Sequence, residues 1–384
     1  MKKESINGSY FFLGMMFINL LFFSCAKETE TKTDSITESE ASEIGLKSLL
    51  PKLLVGSPIN ATSLQDTNYS KIAKKEFSAG QSLWYARWDG WTSESTFNFT
   101  NLNASINWCV QNNKSTHVHM LLGPNFYMPD WLLNGSWTNV QLNQLLKKEI
   151  FSAMESNDNK NKVDVWNIIN ELFNDDGTYR DDVIWNQLGW EVDLSNLTGD
   201  ENVNTMHPVF IRKAFNFARS KTTKKLEYRD YLIENNNPIY GFDKKHKAVY
   251  QLLKHMLNSG IPIDAVGLQG HYDIGNLNWI LENNELKNNI EKFKDLGLEV
   301  YMTELDLGSG LNPWNSELAQ QQKQDYYNVV SQTIAGGASR IYTWGFQDGL
   351  DAGWRTNEHP LPWDENLIKK PAYFGIRKAI IDAN

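Results

Sequence analysis

The chain has 384 residues and a formal net charge of −9, which argues against a nucleic-acid partner because such a partner requires a basic surface. Two cysteines are too few for a disulfide framework, and 41% hydrophobic residues are ample for a large core. The 14 Trp, 15 Tyr and 18 Phe suit stacking against sugar rings, although core packing also accounts for many of them.

The first 24 residues are typical of a secretory signal peptide. A basic start, Met1-Lys2-Lys3, precedes an apolar run at 10–23 that is too short to span a membrane. The run ends in Leu-Phe-Phe-Ser followed by Cys25, which resembles a bacterial lipobox. This resemblance implies cleavage before Cys25 and lipidation of Cys25, so a membrane is an expected partner. An ordinary secretory signal with an incidental cysteine is the alternative.

A polar segment follows the cysteine. Residues 26–43 are rich in Thr, Ser, Glu and Lys and offer almost nothing to bury, so residues 25–44 are expected to form a lipidated, disordered tether. The Ala-Lys-Glu directly after Cys25 is similar to surface-export signals of some outer-membrane lipoproteins. We therefore expect an anchor in the bacterial outer membrane, facing either the cell surface or the periplasm.

From residue 45 onward, short apolar runs alternate with helical stretches, the pattern of repeated βα units. Helices are predicted at 104–111, 209–219, 244–258 and 317–335. Strands are predicted at 53–55, 77–84, 116–122, 163–169, 225–231, 265–269, 299–303 and 340–344. Eight strands with intervening helices predict an α/β fold, a (β/α)8 TIM barrel that forms one catalytic domain over residues 45–384.

Two of these strands end in a carboxylate. The run 163–169 leads into Asn170 and Glu171, and the run 299–303 leads into Glu304. Because barrel enzymes place catalytic groups at the carboxyl ends of their strands, Glu171 and Glu304 are expected to face each other across one barrel mouth. Other polar or aromatic side chains at strand ends are Gln269, His271, Asp306 and Trp344.

These stretches resemble glycoside hydrolase family 10, the barrel β-xylanases. The family's fourth strand has the form Trp-Asp-Val-Val-Asn-Glu, matched here by Trp-Asn-Ile-Ile-Asn-Glu at 166–171. Its seventh strand ends in Thr-Glu-Leu-Asp, identical to residues 303–306. The resemblance extends to the sixth strand at 266–271, the eighth at 342–345 and a closing segment at 361–373, and it runs from about residue 53 to the C-terminus.

The resemblance implies a retaining endo-acting glycoside hydrolase. In such enzymes one carboxylic acid protonates the departing oxygen and a second carboxylate attacks the anomeric carbon, and the family motifs assign these roles to Glu171 and Glu304. His271 is expected to donate to Glu304 and keep it ionised, with Asp306 or Asp230 fixing the tautomer of His271. The implied sugar contacts are His119, Asn170, Gln269, His271, Trp344 and, through a two-residue insertion, Trp354.

His117 and His119 suggest a metal site, because alternate residues of a strand share a face. A catalytic zinc normally takes three protein ligands and no obvious third is present, so neither a catalytic metal nor an organic cofactor is predicted. A structural ion stays open. His119 resembles the third-strand histidine of the family, a sugar contact, whereas His117 is expected to be exposed.

Three strand ends depart from the family pattern. The second strand of the family ends in a Glu-Asn-Glu-type segment, whereas this chain has Leu83-Trp84-Tyr85. The usual Trp-His after the third strand is replaced by Gly-Pro-Asn-Phe at 123–126, and the usual Asn-Asp-Tyr-Asn of the fifth strand by Arg-Asp-Tyr-Leu at 229–232. Fewer hydrogen-bonding groups predict weaker binding of plain xylan, and Arg229 is expected to meet an acidic or sulfated group of the substrate.

The leading hypothesis is cleavage of β-1,4-xylan or a decorated relative. One alternative is a glycanase for another polysaccharide, such as a glucan, mannan or algal polymer. A second is a surface lipoprotein that captures glycans without cutting them, but binding alone needs no matched acid and nucleophile such as Glu171 and Glu304. The long segment 185–207 is expected on the catalytic face, as a specificity loop or a neutral insertion.

Overall fold

Eight strands run parallel to one another and close into a barrel. The computed structural model describes residues 44–193, 204–241, 243–349 and 351–384. Each barrel strand pairs with the next along the chain, and the last pairs with the first, so the sheet has no free edge. Numbered β1 to β8, the strands are Leu54–Pro58, Ala79–Leu83, Ser115–His119, Val165–Asn170, Lys225–Asp230, Ala265–Leu268, Glu299–Gly308 and Arg340–Thr343.

A long helix follows each barrel strand before the next strand begins. Numbered α1 to α8, these helices are Thr67–Glu76, Thr100–Gln111, Asn139–Glu155, Val209–Arg219, Asp243–Asn258, Glu285–Asp295, Ser316–Ala335 and Pro371–Asp382. Local sequence fixes several starts: Asp66 accepts hydrogen bonds from the first turn of α1, and Thr138 and Gln141 form a capping box at α3. The alternation confirms the predicted (β/α)8 barrel, and every predicted strand overlaps an observed one.

Successive residues of a barrel strand face opposite sides of the sheet, and one side is apolar while the other is polar. On β5, Leu226 and Tyr228 belong to the large core between barrel and helices, whereas Glu227 and Arg229 contact groups inside the barrel. A small apolar cluster of Val165, Ala265 and Tyr301 occupies the interior near the amino-terminal ends of the strands. The rest of the interior is therefore available for the polar groups that support the carboxyl ends of the strands.

Part of the sequence-based prediction falls outside the described residues. Residues 1–43 include the predicted signal peptide, Cys25 and nearly all of the tether, and residues 194–203 interrupt the long segment after β4. The described part of that segment contains an antiparallel hairpin, Trp190–Val192 with Met206–Pro208. Within the ranges given above, no helix is long and apolar enough to cross a membrane.

Candidate active site

Glu171 and Glu304 line one cavity at the carboxyl ends of the strands. Glu171 directly follows β4 in a left-handed backbone conformation (φ 58°), which turns the chain sharply, and its N–H donates to the Arg229 carbonyl at 2.9 Å. Glu304 lies within β7. The cavity has a volume of about 380 Å³ and is lined by Tyr85, His119, Tyr127, Glu171, Tyr231, Leu232, Gln269, His271, Glu304, Trp344, Trp354 and Arg355.

The surroundings of Glu171 favour its protonated form. Burial raises the pKa of this carboxyl, and the negative charges of Asp230 and Glu304 add to the rise. Gln269 acts in the opposite direction, because its Nε2 donates to Glu171 Oε1 at 2.9 Å. The same amide lies 3.3 Å from Asn170 Oδ1, so Gln269 fixes both polar side chains at the end of β4.

The surroundings of Glu304 favour its ionised form. Burial alone would raise the pKa of Glu304, but the surrounding donors and positive charges lower it to about 2. Arg229 Nη1 donates to Oε1 at 2.8 Å, and His271 Nε2 lies 3.1 Å from Oε2. His119 Nδ1 lies between Arg229 Nη1 at 2.9 Å and Asn167 Oδ1 at 3.0 Å. Glu304 is thus an ionised carboxylate held at both oxygens.

His271 is positively charged at neutral pH because it lies between two carboxylates. Burial would lower its pKa, but Asp306 and Glu304 raise it to about 10. The Nδ1 atom of His271 is 2.9 Å from Asp306 Oδ2, and Arg355 Nε is 3.1 Å from Asp306 Oδ1. Asp306, and not Asp230, is therefore the partner of His271. Asp230 instead accepts a hydrogen bond from the Tyr228 hydroxyl at 2.6 Å and forms an ion pair with Lys245 at 3.0 Å.

The predicted sugar contacts are brought together around the two carboxyl groups. The rings of His119 and Trp344 lie edge to face at 5.4 Å, and those of His271 and Trp354 at 5.5 Å. Trp354 is 62% exposed and stands at the rim. Asn170 is fully buried, and its Nδ2 donates no hydrogen bond to the described residues. Asn170 is not among the residues that line the cavity, so its contact with a sugar stays a prediction.

The expectation that Arg229 meets the substrate is wrong. Its side chain is fully buried, does not line the cavity, and pairs with Glu227 and Glu304 inside the barrel. The expected exposure of His117 is also wrong, since this ring is fully buried and forms a close contact with Glu227. Both residues point inward because they follow the same period of two that brings His119 to the site. Arg229 lies against both histidine rings, so a metal ion between them is incompatible with the arrangement.

The replaced second strand contributes an aromatic end to the cavity. Trp84 is buried in the core, but Tyr85 lines the cavity and stacks on Tyr127, with ring centroids 5.6 Å apart. Trp88 and Phe126 extend this group outward and are 53% and 60% exposed. The sequence indicated Tyr85, whereas Tyr127 and Arg355 carried no strand-end signal, because both lie in loops.

One group outside the cavity has the side chains of a metal site. Asp193, His207 and His255 are buried, and one potential ligand atom of each lies within 4.8 Å of the others. His207 Nε2 and His255 Nδ1 lie 3.3 and 3.0 Å from the Asp193 carboxylate, and the Tyr179 hydroxyl is 2.6 Å from His207 Nδ1. These contacts hold the three side chains together, while the buried Nε2 of His255 has no hydrogen-bond partner among the described residues. They attach the hairpin to α5, and none of the described residues of the hairpin lines the cavity.

Comparison with known proteins identifies the family of this chain. The model of Glycosyl hydrolase family 10 matches residues 46–379. Endo-1,4-beta-xylanase B of Thermotoga neapolitana is 28% identical over 326 residues, which cover 83% of this chain and 85% of that protein. Endo-1,4-beta-xylanase A of Phanerodontia chrysosporium is 28% identical over 335 residues, which cover 85% and 74%.

Solved structures give the same result. Xylanase 10B of Thermotoga petrophila, in complex with xylobiose, has a TM-score of 0.75 at 26% identity and covers 88% of this chain and 98% of its own. Native xylanase 10B of Thermotoga maritima has a TM-score of 0.76 at 26% identity and covers 89% and 100%. Since the family model spans the whole barrel, the chain belongs to glycosyl hydrolase family 10 and is a glycoside hydrolase.

Proposed function

We propose that this protein is a retaining endo-β-1,4-xylanase that cleaves xylan or a decorated relative, with Glu171 as acid/base and Glu304 as nucleophile. The observation that supports it most is that the pKa values of two carboxyl groups in one cavity are shifted in opposite directions. Burial raises the pKa of Glu171, whereas the donors and positive charges around Glu304 lower its pKa to about 2, and an acid and a nucleophile require such a separation.

The first step uses both groups. A Glu304 oxygen attacks the anomeric carbon and forms a C–O bond, the glycosidic C–O bond breaks, and the Glu171 proton moves to the departing oxygen. Glu171 then becomes the base in the second step: it takes a proton from water, the water oxygen attacks the anomeric carbon, and the bond to Glu304 breaks. The unused donor of Asn170 is suited to the sugar 2-hydroxyl, a contact that strengthens in the transition state.

The choice of xylan rests on the named relatives, and the choice of a decorated chain on the aromatic end of the cavity. Tyr85 belongs to the segment that replaces the Glu-Asn-Glu-type segment of the family pattern, and Tyr127 stacks on it in the cavity. Stacking on a ring face does not require a free hydroxyl on each sugar, so this end tolerates substituents that would break a hydrogen-bonded subsite.

Product release from a panel of polysaccharides is the direct test. The panel includes plain and substituted xylans, mixed-linkage glucan, mannan and sulfated algal polymers, each with the unmutated protein and with Glu171→Gln. Xylo-oligosaccharides released by the unmutated protein alone support the proposal. Release of products from another polymer would identify that polymer as the substrate. Binding without product release would favour glycan capture. Glu317→Gln, an exposed change in the first turn of α7, is the matched control.

Azide rescue tests the two roles separately. With an activated aryl xylobioside, Glu171→Ala still forms the glycosyl-enzyme, and azide then gives the β-glycosyl azide. In Glu304→Ala, azide takes the place of the nucleophile and gives the α-glycosyl azide. The same anomer from both variants, or xylanase activity of Glu304→Ala close to that of the unmutated protein, would refute the assignment.

We also propose that the protein is lipid-anchored to the bacterial outer membrane through Cys25. The support is the sequence alone, a basic and apolar leader that ends in a lipobox-like segment. Labelling of cells with tritiated palmitate and separation of the membranes is the test. Cys25→Ser is expected to lose the label and leave the membrane fraction, whereas Cys109→Ala, in the barrel core, is expected to keep both. Equal labelling of both variants would contradict the proposal.

A further inference from the structure

Arg229 connects the nucleophile to the interior of the barrel. Its Nη1 donates to Glu304 Oε1 at 2.8 Å and faces His119 Nδ1 at 2.9 Å. Its Nη2 donates to Gln81 Oε1 at 3.0 Å, and its Nε donates to Glu227 Oε1 at 2.8 Å. The guanidinium is therefore held on two edges, with no exposed surface, and cannot rotate away from Glu304.

The interior is shaped for this group. A side chain at Gly267 would place its Cβ 2.2 Å from Glu227 Oε1, so only glycine leaves room for the carboxylate that orients Arg229. Burial lowers the pKa of His117 to about 4 and that of His119 to about 3, so both rings are neutral at neutral pH. Burial would raise the pKa of Glu227, but the adjacent Arg229 and the contact with His117 lower it to about 2. Among these neighbours Arg229 is then the one cation between two carboxylates.

The two oxygens of Glu304 face different surroundings. Oε1 is bound by Arg229, which does not line the cavity, whereas Oε2 lies 3.1 Å from His271, which does. Oε2 is therefore the oxygen nearer the sugar and the one that forms the bond to the anomeric carbon. Oε1 then becomes the carbonyl oxygen of the ester and stays on Arg229.

We propose that Arg229 acts through Glu304 by stabilising it as a leaving group, so that it accelerates hydrolysis of the glycosyl-enzyme. This inference rests on the proposed function. When water attacks the anomeric carbon and Glu171 takes its proton, the bond from that carbon to Oε2 breaks and the electron pair returns to the Glu304 carboxylate. A fixed cation on Oε1 favours that return of charge and, for the same reason, disfavours the first attack.

The test compares two steps in variants that keep the interior neutral. Arg229→Asn introduces the residue that the family pattern has there, but alone it leaves Glu227 buried without its partner, so it is combined with Glu227→Gln. With 2,4-dinitrophenyl xylobioside, the double variant is expected to show a burst of dinitrophenolate, a kcat at least tenfold lower and a KM lower by a similar factor. The ratio kcat/KM stays equal or rises, because it reports only the first step.

Control variants separate this effect from structural damage. Glu227→Gln alone serves as the reference, and the comparison is the ratio of the double variant to this single one. Arg229→Lys keeps one charge and is expected to change kcat and KM in the same direction by a smaller factor, so it carries the test if the double variant does not fold. A fall in kcat/KM with KM unchanged and no burst would overturn the inference. Absence of aryl glycoside cleavage by the unmutated protein would instead overturn the proposed function.

Discussion

The pairing of His271 with Asp306 leads to a quantitative prediction for Asp306→Asn. Asp306 is 2% exposed and lies between the imidazolium of His271 and the guanidinium of Arg355. The amide keeps the shape of the carboxylate and removes its charge. His271 should then lose part of the field that holds its pKa at about 10.

The size of the effect follows from the pKa of His271. A rise from 6.5 to about 10 corresponds to roughly 5 kcal/mol of interaction with the protonated ring, shared between Asp306 and Glu304. If Asp306 supplies about half, Asp306→Asn destabilises the fold by ~2 kcal/mol and lowers the pKa of His271 by roughly two units. Because the pKa is raised in the folded state, this stability is fully present below pH 6.5 and is lost as the pH rises through 10.

Urea unfolding at pH 6 and at pH 10 gives one readout, and the imidazole nitrogen shifts of His271 give the other. The loss of unfolding free energy in Asp306→Asn should be larger at pH 6 than at pH 10. The ring should stay protonated at pH 8.5 in the unmutated protein and titrate near pH 8 in the variant, with His271→Gln used to assign its signals. An equal loss at both pH values, or an unchanged pKa, would refute the reasoning.

Three further changes probe other features. Glu149 on α3 is fully buried, neither of its oxygens has a hydrogen-bond partner among the described residues, and burial raises its pKa well above the usual value. Glu149→Met should therefore raise the unfolding free energy by about 2 kcal/mol at pH 8 and by less at pH 4. Asn170→Ala should lower kcat/KM roughly thirtyfold on an aryl xylobioside but only slightly on its 2-deoxy analogue, a loss of ~2 kcal/mol that steady-state kinetics would detect. Trp354→Ala should raise KM several-fold with kcat nearly unchanged, because a wall that is 62% exposed binds ground and transition states alike.

The barrel and its two carboxylates can be predicted from the sequence because each carboxylate follows a buried apolar run. The strand before Glu171 ends at Asn170 as predicted, whereas β7 continues past Glu304 to Gly308, so Glu304 lies within its strand and not at the end of it. The partner of His271 was left open between Asp306 and Asp230, since the choice depends on where each strand end lies in three dimensions. The contact of His271 with Asp306 arises because residues 271–273 pair with the extended end of β7.

The expectation for Arg229 conflicts with the period of two along β5. On β5 the apolar residues Leu226 and Tyr228 mark the outward face, so Glu227 and Arg229 had to share the inward face. The same rule contradicts an exposed His117 once His119 is placed in the site. Loop residues such as Tyr127 show no such alternation. The sequence therefore does not predict that Tyr127 stacks on Tyr85.

The groups around Glu304 and the aromatic end of the cavity belong to different parts of the fold, the barrel strands and the loops. Burying Arg229 with Glu227 is a poor way to gain stability, since apolar packing of similar volume is often as stable or more so. The pair also requires that position 267 carries no side chain, because a Cβ there would collide with Glu227. Since stability does not explain the pair, we infer that Arg229 serves to hold Glu304. Arg229, Glu227 and Gly267 all lie on barrel strands, whereas Tyr85, Tyr127 and Trp354 lie in the connections after them. The connections can thus differ from the family pattern while Glu304 and the groups inside the barrel that hold it stay in place.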